Sequence, residues 1–78
     1  MIIEIISPDK VLFNGSADVV QLPGIDGSFE ILNNHAPLIS ILRNGKIKLI
    51  DEKQAESFFD IKGGVIEVLN NTVKILIE

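Results

Sequence analysis

Lys46-Ile47-Lys48-Leu49-Ile50 alternates charged and aliphatic side chains residue by residue. A period of two puts Lys46 and Lys48 on a water-facing side and Ile47 and Leu49 on a core-facing side, which is the pattern of a half-buried β-strand. Arg43-Asn44-Gly45 precedes the segment and Asp51-Glu52-Lys53-Gln54 follows it, so turn-forming residues bound it at both ends.

The same reading extends outward in both directions. Upstream, Leu38–Leu42 is an apolar strand. Downstream, Ala55–Lys62 places Ser57, Phe59 and Ile61 on one face. Gly63-Gly64 interrupts the pattern, Val65–Leu69 resumes it, Asn70-Asn71 turns, and Thr72–Ile77 closes with Val73, Ile75 and Ile77 in phase. Towards the amino terminus, Ile2–Ile6 is a strand followed by a turn at Pro8-Asp9. Val11–Phe13 is then closed by Asn14-Gly15, a pair suited to hairpin turns. Ala17–Leu22 is a further strand ended by Pro23-Gly24, with another turn at Asp26-Gly27. Only Glu52–Glu56 lacks β character, and it is too short for more than one helical turn. Eight or nine short strands predict an all-β sandwich or flattened barrel.

A chain of 78 residues is one domain, and at this size folding hides only about 60 to 65% of the unfolded surface, so the core is thin. Aliphatic side chains must fill it, because there are four Phe and no Trp or Tyr. The absence of Cys excludes disulfides, thiolate chemistry and the commonest zinc ligand. Seven basic against eleven acidic residues, a net charge of -4, argues against nucleic acid as a partner. No run approaches the roughly twenty apolar residues of a membrane span, and Met1-Ile2-Ile3-Glu4 lacks the basic start of a secretory signal. The expectation is a soluble cytoplasmic domain.

Chemistry, if present, would centre on Gly24–Leu38, GIDGSFEILNNHAPL, which holds the single histidine, His35. Ser28 or Ser40 with His35 and Asp26 would be the candidate nucleophilic set, but no GxSxG elbow accompanies them. A structural or interface role for His35 is the favoured reading. Gly24 and Gly27 lack the lysine and hydroxyl residue of a phosphate loop, so they read as turn glycines. Gly63-Gly64 reads as a bulge or a close approach of another backbone. Asp18, Glu30, Asp51, Glu52, Glu56, Asp60 and Glu67 are scattered without calcium-loop spacing. No metal or cofactor is expected. What is unusual is an apolar excess: Ile2, Ile3, Ile5, Ile6, Val11, Leu12, Phe13, Leu38, Ile39, Ile41 and Leu42 cannot all enter a thin core, since neighbours along a strand point oppositely. Either a contiguous patch is exposed for a protein partner, or bends let a two-sheet core use both sets.

Several of these signals fall in one order: Ile5-Ile6-Ser7-Pro8, Leu12-Phe13-Asn14-Gly15, Gly24, Gly27, Ile31, His35-Ala36-Pro37-Leu38, Leu42, Gly45, and Gly63-Gly64-Val65-Ile66-Glu67-Val68 ahead of Val73–Leu76. In this the chain closely resembles the amino-terminal β-sandwich domain of the epsilon subunit of F-type ATP synthases, called delta in mitochondria, over essentially all 78 residues. The resemblance implies a flattened ten-stranded β-sandwich of two packed, mostly antiparallel sheets. It implies a non-catalytic central-stalk subunit that binds the gamma subunit and the ring of c subunits and helps couple proton or sodium flow to ATP synthesis. It assigns Ser7, Leu12, Phe13, Leu38 and Leu42 to the gamma contact and Ser28, Phe29, Glu30 and His35 to the c-ring contact. Ser28 stands where some relatives carry glutamate, so Glu30 becomes the substitute carboxylate. Gly15, Gly24, Gly27, Pro37, Gly45, Gly63 and Gly64 become structural turn positions. Bacterial relatives continue into a helical hairpin, which binds ATP and can inhibit hydrolysis. It is absent from residues 1–78, so regulation and ATP contact through it are not expected here. Membrane association would be peripheral, through the complex, on the cytoplasmic side of the cell membrane.

Overall fold

The KIKLI alternation is realised in full: Ile47 and Leu49 are buried and Lys46 is exposed on a strand running Gly45–Ile50. A computed structural model describes all residues 1–78. The chain forms nine strands: β1 Ile2–Ile6, β2 Val11–Ser16, β3 Val19–Gly24, β4 Gly27–Leu32, β5 Leu38–Leu42, β6 Gly45–Ile50, β7 Glu56–Ile61, β8 Gly64–Leu69 and β9 Thr72–Ile77. The count agrees with strand periodicity, and the ten strands implied by the resemblance are corrected to nine.

The two separate packed sheets are corrected as well. The strands follow one continuous order, β2-β1-β9-β8-β5-β3-β6-β7, with β4 added beside β3. The join is narrow. Gly24 of β3 pairs with Leu42 of β5, Ile25 donates its N–H to the Ile41 carbonyl at 3.0 Å, and Arg43 donates its N–H to the Pro23 carbonyl at 2.8 Å. Only Arg43 and Asn44 separate β5 from β6, so the chain turns a corner there and the sheet curls over itself. Every pairing is antiparallel except β1 with β9.

Asn14 and Gly15 form no turn. They lie inside β2, opposite Glu4 and Ile3, and neither has positive φ. The local signal was misleading because β2 returns along β1 over its whole length. The pair with both residues left-handed is Asn70-Asn71, at φ 51 and 56, joining β8 to β9. The third strand starts at Val19 and runs through Pro23 to Gly24. Proline is tolerated there because the register sets Pro23 opposite Ser28 at a position whose backbone faces away from β4. Gly27, at φ 133, reverses the chain into β4. At Gly64 the reason for glycine is contact: a Cβ there would lie 2.3 Å from the Leu76 carbonyl oxygen, a close backbone approach of the kind the sequence indicates.

The core comprises fourteen buried aliphatic residues, drawn from both halves of the curl, and no polar side chain is buried. Phe13, Phe29, Leu12, Leu38, Phe59, Ile77 and Met1 pack at its margin.

Candidate partner-binding surfaces

Curling buries one face of the sheet and leaves the other outside, and the two halves of that outer face differ in chemistry. Across β5, β8, β9, β1 and β2, one row of directly paired residues reads Ile41, Val65, Leu76, Ile6 and Val11. Ile41, Val65, Leu76 and Val11 are all exposed, Ile41 at 56%. Five strands at about 4.8 Å spacing make this apolar row roughly 19 Å long. Ile25 and Ile39 are also exposed. The next row alternates charge across Glu67, Lys74 and Glu4, which pair in turn. Of the two readings of the apolar excess, the exposed patch is realised: Ile3, Ile5 and Leu42 enter the core while Ile2, Val11, Ile39 and Ile41 stay outside.

The other half is mixed, with an aliphatic row of Ile50, Val19 and the exposed Leu32 beside a charged one. Across β7, β6, β3 and β4 one row reads Phe58, Lys48, Gln21 and Glu30. Lys48 Nζ lies 3.2 Å from Glu56 Oε2 and 5.9 Å from the Phe58 ring centroid. Lys46 Nζ lies 3.5 Å from Asp60 Oδ1. Gln21 Nε2 donates to Glu30 Oε2 at 2.8 Å. Both lysines thus have carboxylate partners, whereas Glu30 is met by a neutral amide. Gln21, Glu30, Lys46, Lys48 and Phe58 border a shallow depression of about 390 Å³ beside Ser28, too open to exclude water from a reaction.

The residues assigned from sequence divide sharply. Leu42 is 3% exposed and belongs to the core. Leu12, Phe13 and Leu38 are half-buried against it. The Ser7 hydroxyl is engaged locally, donating to the Lys10 carbonyl and accepting from the Lys10 N–H. On the other half, Ser28, Glu30 and His35 are exposed and Phe29 is half-buried. Ser28 and Leu32 are separated by four strand steps, roughly 13 Å, and His35 lies beyond Leu32 on an open loop. Its Nδ1 sits 2.7 Å from the Ala36 carbonyl oxygen. Ser28 and Asp26 therefore occupy one end of β4 and His35 the other, and the candidate triad is not assembled. Sequence reasoning passed over Val65 and Leu76 as surface residues. The signal was available in phase: each alternates with a core residue, Ile66 and Ile75.

The amino terminus and one asparagine pair, Asn34 with Asn71, fasten the loop that follows β4. The Met1 ammonium donates to Asn33 Oδ1 at 2.6 Å and to the Ala17 carbonyl at 3.1 Å. Asn34 donates its N–H to Asn71 Oδ1 at 2.7 Å.

Comparison with known proteins gives one family. The model of the ATP synthase delta/epsilon chain β-sandwich domain matches residues 1–78. The ATP synthase epsilon chain of Chlorobium limicola is 40% identical over 76 residues, covering 97% of this chain and 86% of that one. That of Caulobacter vibrioides is 40% identical over 74 residues, covering 95% and 85%. Against the epsilon chain of Leptospira borgpetersenii, also 40% identical over 74 residues, the match spans 58% of the longer relative. Among solved structures, a chain of the Euglena gracilis mitochondrial ATP synthase OSCP/F1/c-ring structure superposes with a TM-score of 0.93 at 18% identity, covering 99% of this chain and 49% of that one. A chain of the Tetrahymena thermophila central stalk and c-ring structure gives 0.82 at 23% identity, covering 99% and 62%. At those identities the structural likeness speaks for the fold.

Proposed function

Because the chain belongs to the ATP synthase delta/epsilon-chain β-sandwich family, we propose that it is the non-catalytic central-stalk subunit that grips the gamma subunit, meets the c-ring and helps couple ion flow to ATP synthesis. The observation that carries this is the exposed apolar row that crosses β5, β8, β9, β1 and β2, set apart from the ion-paired surface of β6 and β7. A rotor subunit needs a firm dry contact to what turns with it, and apolar area removed from water provides that. Gamma sits on the row Ile41, Val65, Leu76 and Val11, with Ser7 and Leu38 at its margin. This revises the gamma assignment: Leu42, Leu12 and Phe13 support the contact from beneath.

The c-ring contact uses Ser28, Phe29 and Glu30 at the β3–β4 end and His35 on the loop beyond β4. Glu30, held by the Gln21 amide, carries the charge that Ser28 lacks. The subunit is a peripheral member of the complex, on the cytoplasmic side of the cell membrane.

Co-purification of the tagged chain with gamma and c subunits tests the reading, together with ATP-driven proton pumping by membranes depleted of it and resupplied. Binding to both and restored pumping are expected. A chain that stays monomeric beside gamma, with pumping indifferent to its presence, would overturn it.

A further inference from the structure

Three strands have no hydrogen-bonded neighbour on one side: β2, β7 and β4. Between β2 and β7 the rings of Phe13 and Phe59 meet, so side chains cover the gap between those two strands. β4 has no such cover. Its backbone direction follows from its partner. The Pro23 carbonyl accepts from Arg43 on the β5 side, and Val19 and Gln21 pair with β6. Positions 19, 21 and 23 therefore turn their backbone groups away from β4, and their partners Leu32, Glu30 and Ser28 turn theirs away from β3. Leu32 confirms the direction, since its carbonyl accepts from the His35 N–H at 3.2 Å outside the ladder. The N–H groups of Ser28, Glu30 and Leu32 and the carbonyls of Ser28 and Glu30 thus line an open edge.

Edges of this kind are ordinarily blunted by lysine, proline or a bulge. GSFEIL contains neither lysine nor proline, and its register with β3 is unbroken. Its one charge is Glu30. In a β4–β4 pairing centred on the outward-facing trio Ser28, Glu30 and Leu32, Glu30 would face its own counterpart, and like charges directly opposite are destabilising. That register is disfavoured, whereas a strand with a positive charge opposite Glu30 gains an opposite-charge pair. We propose that β4 accepts an extended segment of a different protein by strand addition, with a lysine or arginine of that segment beside Glu30. This goes beyond the coupling role. It uses the backbone of β4 and stands whichever subunit supplies the strand.

Residue-resolved amide exchange tests it, on the chain alone and on the chain assembled into the ATP synthase. Alone, Ser28, Glu30 and Leu32 should exchange freely while Phe29 and Ile31, bonded to β3, stay slow. In the assembly the first three should slow by about tenfold or more. Unchanged exchange at these three, with the apolar row protected, would overturn the proposal and leave the coupling role standing. Failure to assemble would instead count against the coupling role, and the proposal would then be decided by a probe. The probe is an acetylated seven-residue peptide alternating valine and threonine about a central lysine. Glu30→Pro removes one outward donor without breaking the β3 ladder, and Glu30→Gln removes only the charge. Peptide binding weakened by both supports the proposal. No binding, binding equal in Glu30→Pro and the parent, or a concentration-dependent dimer through β4 would refute it.

Discussion

Phe13 and Phe59 stand on the first and last strands of the sheet order, yet their rings meet edge to face, with centroids 5.7 Å apart and planes at 68°. Nothing in the hydrogen-bond ladder brings β2 to β7, so this contact is where the curl closes without becoming a barrel. Edge-to-face geometry sets the positive rim of one ring against the negative face of the other. The pair also covers the seam over the core, where both residues are half-buried.

Phe13→Ala and Phe59→Ala should each destabilise the fold by about 1 to 3 kcal/mol, below the cost for a fully buried phenylalanine because each ring is partly exposed. The double variant should lose less than the sum, with a coupling of about 0.5 to 1.5 kcal/mol. Urea denaturation of the four proteins measures this. Strict additivity would mean the rings do not support each other.

Leu42 and Ile41 are chain neighbours with opposite fates, 3% and 56% exposed. Leu42→Asp should prevent folding, since a carboxylate would be buried without a partner. Ile41→Asp should leave the far-UV dichroism and melting nearly unchanged and weaken gamma binding by about tenfold or more, as expected at the centre of an apolar contact. Calorimetric titration with gamma separates the two, and an Ile41→Asp chain that binds at full affinity would remove the apolar row from the interface.

Most strands were legible because a thin aliphatic core leaves alternation as the dominant signal. Ile47, Leu49, Val73 and Ile75 are buried where their phase puts them. What failed was non-local. Asn14-Gly15 is a favourable hairpin pair by composition, but the pairing of β2 with β1 holds it extended. The union of the halves into one sheet rests on a few backbone bonds around Gly24 and Leu42, made between main-chain groups that every residue carries, so no side-chain pattern announces them. The burial of Leu42 was hidden in the sequence for a related reason. In LISIL the one polar residue, Ser40, shares the phase of Leu42, so composition points that phase outward, yet Leu42 is buried where it pairs with Gly64 and Gly24 while Ile39 and Ile41 are exposed.

The turn at Asn70-Asn71 combines backbone and side-chain roles that substitution can divide. Both residues have positive φ, and Asn71 Oδ1 also accepts the Asn34 N–H at 2.7 Å, tying this hairpin to the loop after β4. Asn70→Gly should be nearly neutral, because glycine adopts the same conformation. Asn71→Gly should cost about 1 kcal/mol for the lost bond, and Asn71→Ala about 2 kcal/mol, since alanine also resists positive φ. At about 4 to 8 °C per kcal/mol for a domain of this size, melting temperatures should fall in that order. Equal melting of the two Asn71 variants would show that φ contributes nothing there.

Gly64 and Gly27 both resist a side chain, for different physical reasons. At Gly64 an added methyl meets main-chain atoms of the adjacent strand, 2.3 Å from the Leu76 carbonyl oxygen and 3.1 Å from the Ile77 Cα. Backbone cannot move aside as a side chain can, so Gly64→Ala should force β9 away from β8 at a cost of about 1 to 3 kcal/mol. Because Val65 and Leu76 stand directly opposite each other beside it, the same displacement should break the apolar row and weaken gamma binding. At Gly27 no atom lies within 4 Å of the added methyl, and only φ of 133 opposes it, so Gly27→Ala should cost about 1 to 2 kcal/mol of backbone strain. Its effect should stay at the β3–β4 turn and leave gamma binding intact. Amide exchange separates the cases: faster exchange along β8 and β9 is expected for Gly64→Ala alone. The same pattern in both variants would mean that the close approach of β9 is not what requires glycine at position 64.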